Sequence, residues 1–224
     1  MYTQGDVESL FTLTIARGDG NSTLAIGGLP PAEPGFEDVE FTSVPIEIMQ
    51  LNPGQNPKFS TQNSYYTITP DSYVYRNATT SVQGNLTSYG SYGSAPSVSE
   101  QTLSNSFPTI VDSGTSLIYL PQVQVLYINA AFDPPSTVDQ YTGYDVIPCN
   151  ATAPEFGIVI GGTTFYINGE DMILDLGLGG GMCASGVQNG GGAVNILGDV
   201  FLRNVIAVFD VGSAEMRFAP HVNY

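Results

Sequence analysis

Basic side chains are nearly missing from this chain: lysine and arginine number 5 together against 21 aspartates and glutamates, a formal net charge of −16. So acidic a surface repels polyanions, which excludes nucleic acid and anionic membranes as partners. The same scarcity means that protonating the carboxylates builds little positive self-repulsion, so an acidic working environment fits. Tryptophan is absent and histidine occurs once, at His221. With two cysteines and no Cys-x-x-Cys pair, a metal site is excluded, and no cofactor is expected. No apolar run approaches membrane-spanning length.

What is present is a globular composition: 224 residues, 42% of them hydrophobic, suffice for a real core. Cys149 and Cys183 are either two free thiols or one disulfide, which over a span of 34 positions would stabilise by roughly 3–4 kcal/mol. Four Asn-x-Ser/Thr sequons, at Asn21, Asn77, Asn85 and Asn150, favour the secretory route and with it the disulfide. The opening Met1-Tyr2-Thr3-Gln4-Gly5 has no signal-peptide pattern and reads as a mature portion.

Periodicity makes the chain mainly β. Residues 4–10 read as the end of a helix, residues 11–15 and 22–28 as a hairpin around a Gly-Asp-Gly-Asn turn, and Pro30, Pro31 and Pro34 break the pattern. Strands follow at 40–45, 46–49 and 64–69, then a Ser/Thr/Gly/Tyr-rich stretch over 77–106 that reads as a surface loop. One helix is expected from Pro121 to about Phe132, with Val123, Leu126, Tyr127, Ala130 and Ala131 on its apolar face. Strands at 144–149, 156–161 and 163–167 come next, then an Asn168-Gly169 turn and a strand at 171–174.

The chemistry gathers at Thr109-Ile110-Val111-Asp112-Ser113-Gly114-Thr115-Ser116-Leu117-Ile118. An apolar strand ends on a carboxylate, which is costly to desolvate unless donors bond it; hydroxyls at +1, +3 and +4 are such donors. Gly114 would supply positive φ or a close approach of another backbone. An ordinary Asp-Ser-Gly turn between two strands is the alternative.

This pattern resembles the active-site motif of pepsin-like aspartic proteases. The likeness extends to Ile196-Leu197-Gly198, an apolar-apolar-Gly segment that in the family threads beside the catalytic loop, and to the closing run up to Asp210. It implies a mainly β, pepsin-like acid-protease lobe, barrel-like, with one or two short helices. By that resemblance residues 1–34 are the tail of the first lobe and residues 35–224 the second lobe. Asp112 would be a catalytic carboxylate, supported by Ser113, Gly114, Thr115 and Ser116, with Thr115 bonding the outer carboxylate oxygen. Tyr65, or equally Tyr66, and Ile110 would face substrate.

The family works with two such aspartates, and this chain has one Asp-Ser/Thr-Gly; Asp175 and Asp210 lack the following hydroxyl and read as turns. Three functions compete: a secreted or vacuolar aspartic endopeptidase acting on peptides and proteins, inactive without its missing first lobe; a homodimer in which a second copy supplies the other aspartate; and a non-catalytic binding glycoprotein on a protease scaffold.

Overall fold

A computed structural model describes residues 5, 7–18, 20, 22–30, 39–47, 65–78, 100–105, 107–192 and 194–221. In chain order the elements are β1 (Leu10–Thr14), β2 (Thr23–Ile26), β3 (Thr42–Pro45), β4 (Thr67–Ile68), β5 (Ser72–Arg76), β6 (Gln101–Ser104), β7 (Thr109–Val111) and β8 (Ile118–Leu120). Helix α1 (Gln122–Ala130) leads to β9 (Thr137–Val138), β10 (Asp145–Pro148), β11 (Glu155–Ile160), β12 (Thr163–Ile167), β13 (Ile173–Leu174), β14 (Met182–Ser185), β15 (Val187–Asn189) and β16 (Asn195–Leu197). Helix α2 (Asp199–Leu202), β17 (Val205–Asp210) and β18 (Glu215–Pro220) close the chain. The fold is mainly β, as the periodicity indicates.

Four sheets enclose one core. Their strand orders are β2-β1-β17-β18-β3, β15-β8-β16-β7-β4, β12-β11-β5-β6 and β13-β14-β10-β9. The first sheet joins residues on both sides of position 34: β1 lies antiparallel to β17, with Phe11 opposite Phe209. Those two rings stack at 4.5 Å, and Tyr66 meets both edge-on. β17 is buried along its whole length and has sheet partners on either side.

Helix α1 starts after Pro121, as expected, but its buried face is Gln124, Val125, Ile128 and Asn129, while Val123 is exposed. Val125 and Ile128 enter the hydrophobic core, a face turned from the expected one, and Gln124 and Asn129 flank them on the same side. The Asn129 amide donates to the Val187 carbonyl at 2.9 Å and accepts from the Ser185 hydroxyl at 2.7 Å, and Gln124 donates to the Ser104 carbonyl at 3.3 Å. A buried amide with its bonds made is tolerated where an unpaired one is not.

Three other expectations change. Leu10 opens a strand, and the described residues before it form no helix. The 77–106 stretch contains β6, which pairs with β5; residues 79–99, with Asn85 and most of the Tyr/Gly run, lie outside the described residues, as do Asn21 and residues 48–64. The 171–174 strand shortens to β13, because Asn168 caps a 3-10 turn over Gly169–Met172, its Oδ1 accepting from the Glu170 amide at 3.0 Å. Cys149 and Cys183 form a disulfide, tying the end of β10 to β14.

Candidate active site

Asp112 follows β7, whose three residues are all buried, and is itself only partly exposed. The carboxylate is held at both oxygens: the Gly114 amide donates to Oδ1 at 2.9 Å, and the Thr115 hydroxyl to Oδ2 at 2.6 Å. Hydrogen bonds to a charged acceptor are the strong kind, and two of them fix the carboxylate plane. Ser113 and Ser116 are exposed, and neither hydroxyl bonds the carboxylate, so the donors are the +2 amide and the +3 hydroxyl rather than the three hydroxyls. Gly114 has no positive φ; its missing side chain matters because a Cβ there would lie 3.2 Å from Asp112 Oδ1.

The turn is braced from below. β16 runs between β7 and β8, the two strands flanking the turn, parallel to the first and antiparallel to the second. The Asp112 amide donates to the Leu197 carbonyl at 3.1 Å. Past Gly198, the first amides of α2 reach back: Asp199 donates to the Thr115 carbonyl at 2.8 Å and Val200 to that of Ser116 at 3.0 Å. Those amides have no partner inside their own helix, so the loop satisfies them while they hold it.

A cavity of about 440 Å³ opens beside Asp112, lined by Tyr65, Tyr66, Ile110, Val111, Val194 and Ile196. It brings Tyr65 and Ile110 to the carboxylate. Val194 and Ile196 also line it, a contribution that only the β16 crossing reveals. Among the described residues no cluster of His, Cys, Asp or Glu could hold a metal ion, and no helix is long and apolar enough to cross a membrane.

Asp199 is a charged neighbour of Asp112 that the motif does not announce. Burial pushes its carboxyl above the ordinary range, Arg203 opposes that and Asp112 adds to it; its Oδ1 is buried without a hydrogen bond. Further back, Asp171 is buried at 2% exposure and paired with Arg17, with Arg203 at 3.7 Å and Asn204 donating to Oδ2 at 2.8 Å. The pair locks the turn after β1 to the 3-10 turn over Gly169–Met172, and Arg203 and Asn204 tie Asp171 to the C-terminal end of α2. Asp210 is likewise paired with Arg217, and Asp175 Oδ1 accepts from the Gly177 amide, so both act within turns.

The model of the eukaryotic aspartyl proteases matches residues 85–221, which include the Asp112 turn, β16 and the final hairpin. The chain belongs to that family. Among the aspartyl proteases it is 36% identical to a probable aspartic-type endopeptidase of Aspergillus fumigatus, over 98% of this chain and 46% of the relative. Penicillopepsin-3 of Penicillium janthinellum is 36% identical over 54% of this chain and 31% of its own length. An aspartic protease, pepA, of Arthroderma gypseum is 34% identical over 61% of this chain and 33% of its own. The chain thus spans half or less of the length of these relatives. Of the sequons, Asn150 is exposed and Asn77 half-buried.

Proposed function

We propose that this chain is the second lobe of a secreted or vacuolar aspartic endopeptidase, contributing Asp112 as one of two catalytic carboxylates. The observation that carries the reading is the carboxylate fixed at both oxygens beside an apolar cavity. Peptide hydrolysis without a metal needs a base to take a proton from water and an acid to give one to the scissile carbonyl. Two adjacent carboxylates cannot both ionise, so a pair shares one proton and performs both tasks; aspartic proteases are the standard instance.

Asp112 therefore needs a partner from the missing first lobe or from a second copy. The Gly114 amide and Thr115 hydroxyl hold it in the orientation from which it can address water, and Tyr65 and Ile110 receive apolar side chains of an extended peptide substrate. Ser113 faces the other half of the site, and the backbone of Gly114 and the side chain of Ser116 face the substrate main chain. The disulfide and the sequons at Asn21, Asn77, Asn85 and Asn150 suit an oxidising, glycosylating route of export.

The test is cleavage of an unfolded protein at roughly pH 3–5, the range in which a carboxylate pair shares a proton, by this chain alone and by the longer polypeptide carrying a first lobe. Activity of the longer form that Asp112→Asn abolishes, with none from the chain alone, supports the reading. Activity of the chain alone rising with the square of its concentration would make a second copy the partner. An active Asp112→Asn variant would overturn the assignment of Asp112.

A further inference from the structure

Asn150 occupies the turn that follows β10 and is exposed, as is Thr152 two positions on. The Ala151 amide donates to the Pro148 carbonyl at 2.9 Å and closes the turn, and reciprocal backbone bonds of 2.8 and 3.0 Å join Thr152 to Asp133. Those bonds are all main-chain, so the Asn150 and Thr152 side chains can change without undoing them. Asn77, the other sequon asparagine among the described residues, is half-buried.

Beside Asn150 lies a weak point. Cys149 is bonded to Cys183 on β14, and the Cys149 amide donates to the Gly181 carbonyl at 2.9 Å. Gly181 ends the connection between β13 and β14, residues 175–181, in which Gly177, Gly179, Gly180 and Gly181 all have positive φ. Every residue of that connection but Leu178 is exposed, Leu176 to 43%. Exposed tips built of small residues are where chains are nicked, because few contacts have to open to admit a protease. Leu174, Leu176 and Leu178 place apolar side chains along the same stretch, the kind of segment proposed above as this enzyme's substrate. The chain therefore presents a target to its own activity.

We infer that Asn150 is an occupied N-glycosylation site whose sugar shields the 175–181 turn from proteolysis, the enzyme's own included. In the modification the Asn150 amide nitrogen attacks the anomeric carbon of an oligosaccharide carried on a lipid diphosphate. The N–C bond forms, the bond from that carbon to the diphosphate oxygen breaks, and one amide proton leaves to a base of the transferase. Asn150 adjoins the half-cystine whose amide holds Gly181, so a bulky hydrated group there stands over the turn. The inference rests on the exported reading above and adds which sequon is used and what its sugar does. The disulfide gives a cut its signature: it joins residues 149 and 183, on either side of the turn, so a nicked chain stays in one piece until it is reduced.

The test uses the chain carrying Asp112→Asn, which under that reading excludes self-cleavage, secreted from a glycosylating eukaryotic host through the host's own export signal. Peptide mapping with enzymatic deglycosylation in heavy-oxygen water is expected to find residue 150 converted to labelled aspartate. Thr152→Ala keeps Asn150 and destroys the sequon, whereas Thr152→Ser keeps the sequon. With subtilisin at about pH 6, Thr152→Ala should be nicked within 175–181 about tenfold faster than its parent, and Thr152→Ser at the parent's rate. The nick should show as fragments on a reducing gel and as one band without reductant, and the urea midpoints of the forms should agree. Asn150 recovered unmodified overturns the inference, whichever other sequon carries sugar. So does an unchanged nicking rate in Thr152→Ala, or a faster one accompanied by a lowered midpoint, since the sugar then acts on the fold rather than as a shield. Sugar found only elsewhere leaves the exported reading standing, and no outcome touches the role of Asp112, which the cleavage assay decides separately.

Discussion

Gly198 sits beneath the active turn so tightly that a Cβ on it would come within 2.2 Å of the Thr115 carbonyl oxygen and 2.4 Å of that of Leu117. Both neighbours are backbone, so no side chain can swing away to make room. Gly198→Ala should cost at least about 3 kcal/mol, at the upper end for overpacking, read as a lowered urea midpoint. A midpoint within error of the parent would show that the Asp112 turn yields easily.

Thr115 offers a milder probe of the same turn. Thr115→Val keeps the shape and removes the 2.6 Å bond to Asp112 Oδ2. A hydrogen bond to a charged group is worth roughly 1.5–3 kcal/mol. In a longer form carrying the proposed first lobe, the variant should therefore bind a transition-state-mimicking peptide inhibitor about tenfold to a hundredfold more weakly. Unchanged inhibitor affinity would mean that the hydroxyl does not orient the carboxylate.

The Arg17–Asp171 pair predicts a stability effect remote from the cavity. Arg17→Met leaves a carboxylate at 2% exposure with only Asn204 and the more distant Arg203. Breaking a buried pair from one side costs about 3–5 kcal/mol. Because Arg17 is itself 19% exposed, the lower figure is expected, read by chemical denaturation.

The stability contributed by Asp145 and Asp199 should be greatest in acid and fall toward neutrality, against Asp139, which the Thr142 and Tyr141 amides lower and which works in the opposite sense. Burial raises the Asp145 carboxyl against the opposing bonds from Ser136 and Asn129, and burial raises Asp199 with Asp112 adding to it and Arg203 opposing. Each group binds its proton more tightly folded than unfolded. The stability it contributes is complete below the ordinary aspartate value, about 4, and is lost as pH rises through the raised value. Urea midpoints measured across this window should decline less with pH in Asp145→Asn than in the parent. An unchanged slope in that variant would exclude Asp145 as a source.

Reducing the Cys149–Cys183 disulfide, which closes a separation of 34 residues, should cost roughly 3–4 kcal/mol by freeing the unfolded chain. A melting curve with and without reductant reads it directly.

The sequence by itself determined the β class, the hairpin at β1–β2, the position of α1 and the carboxylate at the end of β7, because each rests on local patterning: alternation, a proline start, or an apolar run broken by Asp-Ser-Gly. Tertiary structure decided the rest. It turned Gln124 and Asn129 inward, where the carbonyls of Ser104 and Val187 and the Ser185 hydroxyl, all on other strands or their flanks, satisfy them. It chose the Gly114 amide and Thr115 as the ligands of Asp112 among several nearby donors. Val194 and Ile196 reached the cavity because β16 passes between β7 and β8, a crossing that no local period encodes. Among the described residues β18 has two sheet neighbours and β2 one, a difference that no local period encodes, since a strand's pairing depends on partners far away in the chain.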